Sequence, residues 1–258
     1  NGASAVLGEV VPGLKLPPKE ISRRLPVARL IPPKKQLPVG LPAKIRESPR
    51  PKSPEHMPDP ELEIRGVLLN QEDTGENFSR LTLFSTHGLL RCLLRKSRKL
   101  SAVSPPDLFD EVEIILQPPK NQGISFVKEY QVLQKRMSLA MDRSRFETAG
   151  FLARFYIDNG EHLLDSPQFY RILQNALGSL IDDGFPPTVL VKSLFLFARE
   201  EGLPVKESWL SDLPSKTLEQ AVTLLKRPVK ESGDLNDLVP SLLESLCQWL
   251  RTDTELRC

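Results

Sequence analysis

ELEIRGVLLNQEDTGENFSRLTLFSTHGLLRCLL, residues 61–94, carries the clearest structural pattern in the chain. Its apolar positions repeat every two residues. Glu61 to Asn70 reads as a strand, and Phe78 to Phe84 as a second, with Leu81 and Leu83 on one face and Thr82 and Phe84 on the other. The polar stretch Gln71 to Asn77 separates them, Thr86-His87-Gly88 supplies turn chemistry, and Leu89 to Leu94 follows as a third strand. Further on, Leu108 to Leu116 sets Val112, Ile114 and Leu116 against Glu111, Glu113 and Ile115. The turn Pro118 to Gly123 then leads into a fifth strand, Ile124 to Val132. Five short strands in about seventy residues predict a small closed barrel.

Past Leu133 the period lengthens to between three and four. Phe146, Ala149, Ala153 and Ile157 define one helix, ended by Asn159-Gly160. Ser166-Pro167 reads as N-cap and first residue of a second, which carries Phe169, Ile172, Leu173, Ala176, Leu177, Leu180 and Ile181 and is closed by Gly184. Pro186-Pro187 opens a third, apolar nearly all round from Val189 to Phe197, as a central bundle helix would be. Ser215 to Leu225 and Leu235 to Leu250 give two weaker amphipathic helices. The fold class expected is therefore α+β: a five-stranded OB-type barrel over residues 61–132 followed by a helical domain over 133–258.

The remaining segment, residues 1–60, is of another kind. It holds thirteen of the 24 prolines and eleven Lys/Arg against five Asp/Glu, and it has no Phe, Trp or Tyr with which to offset chain entropy. It reads as a disordered basic arm, solubilising or weakly attractive to polyanions. The chain opens on Asn1 rather than Met, as a fragment of a longer frame could, and Ala3 to Val11 lacks the positive n-region and long apolar core of a secretory signal. The longest strongly apolar run, Val189 to Ala198, is about ten residues and holds Lys192, well short of the roughly twenty needed to span a bilayer.

Chemistry is sparse. His56, His87 and His162 are scattered, and no metalloprotease, nucleophile-elbow or phosphate-loop motif occurs. Cys92, Cys247 and Cys258 stand far apart in sequence, which fits a reducing compartment and offers neither a disulfide framework nor a zinc site. No catalysis, cofactor or metal is expected. Asp182-Asp183 reads as a solvated helix end.

The informative feature is a stretch of one sign. From Asn77 to Pro106 there is no Asp or Glu, while Arg80, Arg91, Arg95, Lys96, Arg98 and Lys99 contribute six positive charges. The flanks 61–76 and 107–258 carry net charges of −4 and −6. A mildly acidic body with one basic patch suits a polyanion, although cations after a strand can also merely solubilise a loop. The third strand of an OB-type barrel favours the first reading, because such barrels bind oligonucleotides across strands two and three. Phe78 and Phe84 read as core rather than as stacking platforms, so contacts to the phosphate backbone with weak base preference are expected.

These residues resemble a known family. Arg65-Gly66-Val67-Leu68-Leu69, the run from Gly75-Glu76-Asn77-Phe78 through Leu83-Phe84-Ser85-Thr86-His87-Gly88-Leu89-Leu90, and Arg95-Lys96-Ser97-Arg98-Lys99 are similar to the amino-terminal barrel of the bacterial recombination mediator RecO. The resemblance covers about residues 61–130, extends less closely to 200 and is absent over 1–60. Ser97 stands where the family usually has Gly, and the family's frequent four-cysteine zinc module is missing. The resemblance implies a non-enzymatic cytoplasmic, nucleoid-associated protein that binds single- and double-stranded DNA and anneals strands. It also implies that the protein works with RecR and single-stranded-DNA-binding protein to load recombinase. The acidic, aromatic-ended tail of the latter would need an apolar slot beside cations, and Arg154, Arg171 and Lys192 are the candidates, Lys192 foremost because it sits in the most apolar helix. A protein-interaction adaptor and an RNA-binding OB module remain open alternatives, since phosphate contacts identify neither sugar nor base.

Overall fold

Five strands form where the period of two was read: β1 (Leu62–Asp73), β2 (Phe78–Ser85), β3 (Gly88–Arg95), β4 (Glu111–Gln117) and β5 (Ser125–Gln134). The computed structural model describes residues 61–96, 104–117 and 123–258, so the arm expected over 1–60 lies outside the described residues. The strands close in the order β1-β2-β3-β5-β4, with β4 returning to β1. Neighbours run antiparallel except β3 and β5, which pair in parallel through Cys92 opposite Ser125 and Leu93 opposite Phe126. That order, closed by a parallel β3–β5 seam, is the OB fold.

Alternation fills the barrel from every strand. Ile64 and Leu68, Leu81 and Leu83, Cys92, Val112, Ile114 and Leu116, and Val127 form one buried cluster, with Leu90 and Leu94 packed against it. β4 begins three residues later than the alternation suggested, because Leu108 and Phe109 form a turn in which Phe109 takes a φ of 68°. Phe109 donates its N–H to the Leu68 carbonyl at 2.7 Å, and Leu68 donates to Asp110 at 3.0 Å.

Helices follow: α1 (Arg143–Asn159), α2 (Ser166–Ile181), α3 (Pro186–Glu200), α4 (Ser215–Lys226) and α5 (Val239–Asp253). The cap of α2 is Asp165 rather than Ser166. Its carboxylate accepts from the Gln168 N–H, while the Ser166 hydroxyl turns back to the Leu163 carbonyl. Nor does α5 start at Leu235, which sits in a single 3₁₀ turn. Pro240 has no N–H to give and is placed in the first turn of α5, where none is needed. α3 packs on α1, α2 and α5, and Val189, Val191, Leu194, Phe197 and Ala198 are buried along it.

Barrel and helices share a second buried cluster. Val67 and Leu69 of β1 and Phe84 of β2, all facing outward from the barrel, pack with Phe109, Leu152, Tyr156, Phe169 and Phe197. Phe84 meets Tyr156 edge to face at 4.8 Å. The end of α1 lies so close to the Phe84 ring that a Cβ on Gly160 would stand 3.0 Å from it and 2.4 Å from the Tyr156 carbonyl, which leaves room for glycine alone. The helices therefore cover one end of the outer face of β1 and β2.

Candidate nucleic-acid interface

The β2–β3 register sets the outer face out in pairs: Phe78 opposite Arg95, Arg80 opposite Leu93, Thr82 opposite Arg91 and Phe84 opposite Leu89. Leu81, Leu83, Cys92 and Leu94 alternate with these and fill the interior. Arg80, Arg91 and Arg95 consequently share one face, and Lys96 follows at the strand end. Arg98 and Lys99 lie outside the described residues.

Carboxylates distant in the sequence approach this face. Arg91 is 3.4 Å from Glu161 in the connection after α1, Lys96 is 2.9 Å from Asp73, and Arg80 is 3.8 Å from Glu72. Lys96 also donates to the Gly75 carbonyl at 3.2 Å. The stretch without acids is thus a feature of the sequence more than of the surface. In each pair the cation is part-exposed and the carboxylate more than half exposed, so the pairs are individually weak and phosphates can replace the carboxylates at little cost. Arg95 is exposed and makes no ion pair among the described residues. The Arg80 Nε is buried without an acceptor.

Of the two phenylalanines read as core, Phe84 is fully buried and Phe78 is not. Phe78 stands edge to face with Phe126 of β5, ring centroids 5.7 Å apart and planes at 63°, and Phe126 is 39% exposed. Nothing local singled out Phe126. Its importance comes from the parallel β3–β5 seam, which sets it beside Leu93, and periodicity does not reveal such a seam.

The three helical cations separate. Arg154 is an exposed i,i+4 partner of Asp158 at 2.7 Å. Arg171 of α2 and Lys192 of α3 line one cleft of about 300 Å³ together with Arg199, Ile172, Val189 and Leu196. A second cleft of about 400 Å³ shares Lys192, Leu196 and Arg199 and adds Phe195, Leu210, Val222, Leu225, Lys206 and Lys226. Lys192 donates to the Arg227 carbonyl at the end of α4, satisfying a helix C-terminus, and burial lowers its pKa.

A polar hub joins barrel to helices. Glu111 of β4 accepts from Arg65 and, at 2.8 Å, from the Tyr170 hydroxyl of α2, with the fully buried Arg136 guanidinium 3.8 Å away. Arg136 donates to the Phe109 carbonyl at 2.7 Å and to Gln134 at 3.0 Å, and it also reaches Gln174. Burial pushes the Tyr170 hydroxyl up to about 12, keeping it a donor.

The cysteines are not all apart in space. Cys247 and Cys258 come within hydrogen-bonding reach of each other, while Cys92 is buried in the barrel with its thiol pushed up to about 12. Among the described residues no three His, Cys, Asp or Glu side chains converge as a metal site would require, and no helix is long and apolar enough to cross a membrane.

No family model matches the chain, and no curated protein does. Among solved structures, the aspartyl tRNA synthetase from Entamoeba histolytica is similar at a TM-score of 0.23 and 14% identity, over 59% of this chain and 36% of that one. The match spans well under half the synthetase's length, and a likeness that shallow defines neither fold nor function.

Proposed function

We propose that this chain is a non-catalytic DNA-binding protein acting as a RecO-like recombination mediator, which binds and anneals strands and helps load recombinase on single-stranded DNA. The carrying observation is the OB barrel that sets Arg80, Arg91 and Arg95 on the outer face of β2 and β3, where barrels of this type take oligonucleotides. The order of barrel then helices supports the family reading, as do the residues similar to RecO. DNA binding by counterion release predicts that log affinity for single strands falls with log salt by about 0.7 per phosphate contacted, or roughly 2 to 4 for three to five contacts. Replacing Arg95, Lys96, Arg98 and Lys99 with Ala should flatten that slope. An unchanged slope in a folded variant removes the interface, and tighter binding of RNA than of DNA of equal length favours the RNA alternative.

The partner reading, RecR and the acidic tail of single-stranded-DNA-binding protein, rests on the resemblance. The clefts beside Lys192 support the tail, because they pair apolar walls with the cations Arg171, Lys192 and Arg199. A labelled acidic, aromatic-ended peptide should bind wild type more tightly than Lys192→Ala or Arg171→Ala. Equal affinity for all three removes both cations, and no binding by wild type removes the partner and leaves the adaptor reading without its site.

A further inference from the structure

The two loops that usually frame the binding face of an OB barrel, those joining β1 to β2 and β4 to β5, both lead into aromatic residues here. Phe78 is the first residue of β2, directly after the first loop, and Phe126 is the second residue of β5, directly after the other. The register brings them together across β3: Phe78 lies opposite Arg95, and Phe126 opposite Leu93. Their rings form an open edge-to-face pair on the outside of the barrel, at the end of β2 away from the helices. Ile124, 38% exposed, precedes Phe126.

Charge identifies the occupant. Arg95 is exposed and unpaired among the described residues, and Arg80 keeps a buried Nε with no acceptor. Glu72 and Asp73 are engaged with Arg80 and Lys96. An apolar peptide would offer no acceptor to the Arg95 guanidinium or to the Arg80 Nε. A nucleotide with its base free offers a π-face to the rings and a phosphate on either side to the arginines. Bases inside a duplex are stacked on one another and cannot lie on a protein ring without being pulled out.

We propose that Phe78 and Phe126 form a stacking platform for one or two unpaired bases, with Arg95 and Arg80 holding the flanking phosphates. This rests on the DNA-binding reading and goes beyond it, because it makes the barrel selective for single strands and replaces the expectation of backbone contacts alone.

The test uses the full chain and three labelled probes of equal length: oligo-dT, an abasic oligomer and a duplex. Wild type should bind oligo-dT about tenfold more tightly than the abasic oligomer, the effect of one ring–base stack. Phe126→Ala should lose that factor for oligo-dT, with affinity for the abasic strand and duplex and the salt slope unchanged. Phe126→Trp should restore it, with indole fluorescence quenched by oligo-dT and not by the abasic strand. Equal wild-type affinity for oligo-dT and the abasic oligomer, with salt-dependent binding intact, overturns the platform and leaves the DNA reading standing. Failure of wild type to bind any of the three overturns both.

Discussion

Phe78 and Phe84 occupy one strand and one face, six residues apart, and their surroundings are opposite. Phe84 is sealed between Tyr156, Gly160 and the end of α1, whereas Phe78 is only part-buried, stands edge to face with the part-exposed ring of Phe126 and lies opposite Arg95 in the register. Within the strand the two positions are equivalent, since both side chains leave the barrel and neither fills its interior. What separates them is the helical domain, which covers one end of the outer face and stops short of the other. A barrel of this size fills its interior with its own side chains, so the outer face can serve either to dock a second layer or to take a ligand. Here one strand does both.

Truncating each ring in turn separates the covered end from the open one. Phe84→Ala should cost about 3–5 kcal/mol, because the ring is enclosed and α1 cannot collapse onto the space left. For a chain of this length that lowers Tm by roughly 2–4 °C per kcal/mol. Phe126→Ala should shift stability by no more than about 0.5 kcal/mol, as expected at an open surface position. Thermal melts followed by circular dichroism check both. A large loss in Phe126→Ala would mean that this end of the face is packed after all, and a small loss in Phe84→Ala would mean that the helices do not seal the other.

Periodicity made the barrel and the faces legible, and the same periodicity explains what stayed hidden. Alternation says which side chains leave a strand, but it is silent on what covers them, so Phe78 and Phe84 read alike as core. It is also silent on which strands close a sheet, and Phe126 becomes a neighbour of Leu93 and Phe78 only through the parallel β3–β5 pairing. Counting acids along the chain found none between Asn77 and Pro106, yet Glu161, seventy residues beyond Arg91, comes within 3.4 Å of it. Cys247 and Cys258, remote from any motif, meet because the chain after α5 folds back: Asn159 accepts from the Arg257 N–H at 2.8 Å and donates to its carbonyl at 3.0 Å. In each case the missing information is a contact between distant segments. The starts of α2, α3 and α4 were legible to within a residue, since caps and prolines act locally, whereas α5 begins four residues after Leu235, which a separate 3₁₀ turn takes up.

The hub that fastens the covered end carries a smaller effect than truncating Phe84. Burial alone would raise the Glu111 carboxyl, but hydrogen bonds from Arg65 and Tyr170 and the charges of Arg65 and Arg136 outweigh it and hold its pKa below the ordinary carboxylate value. A carboxylate whose folded pKa lies below its unfolded value adds stability that is complete above the unfolded pKa of about 4.3 and is lost as pH falls through the folded one. Glu111→Gln keeps the shape but gives up the charge that Arg65 and Arg136 face. At neutral pH it should therefore cost about 1.5–3 kcal/mol, in the range of hydrogen bonds to a charged group. As the pH is lowered from 7 toward 3, wild type should lose Tm faster than the variant, and the gap between their melting curves should narrow. A gap that stays constant over that range would mean that the carboxylate's charge does not fasten the helices to the barrel, and that packing of Val67, Leu69 and Phe84 alone keeps one end of the outer face closed while the other stays open.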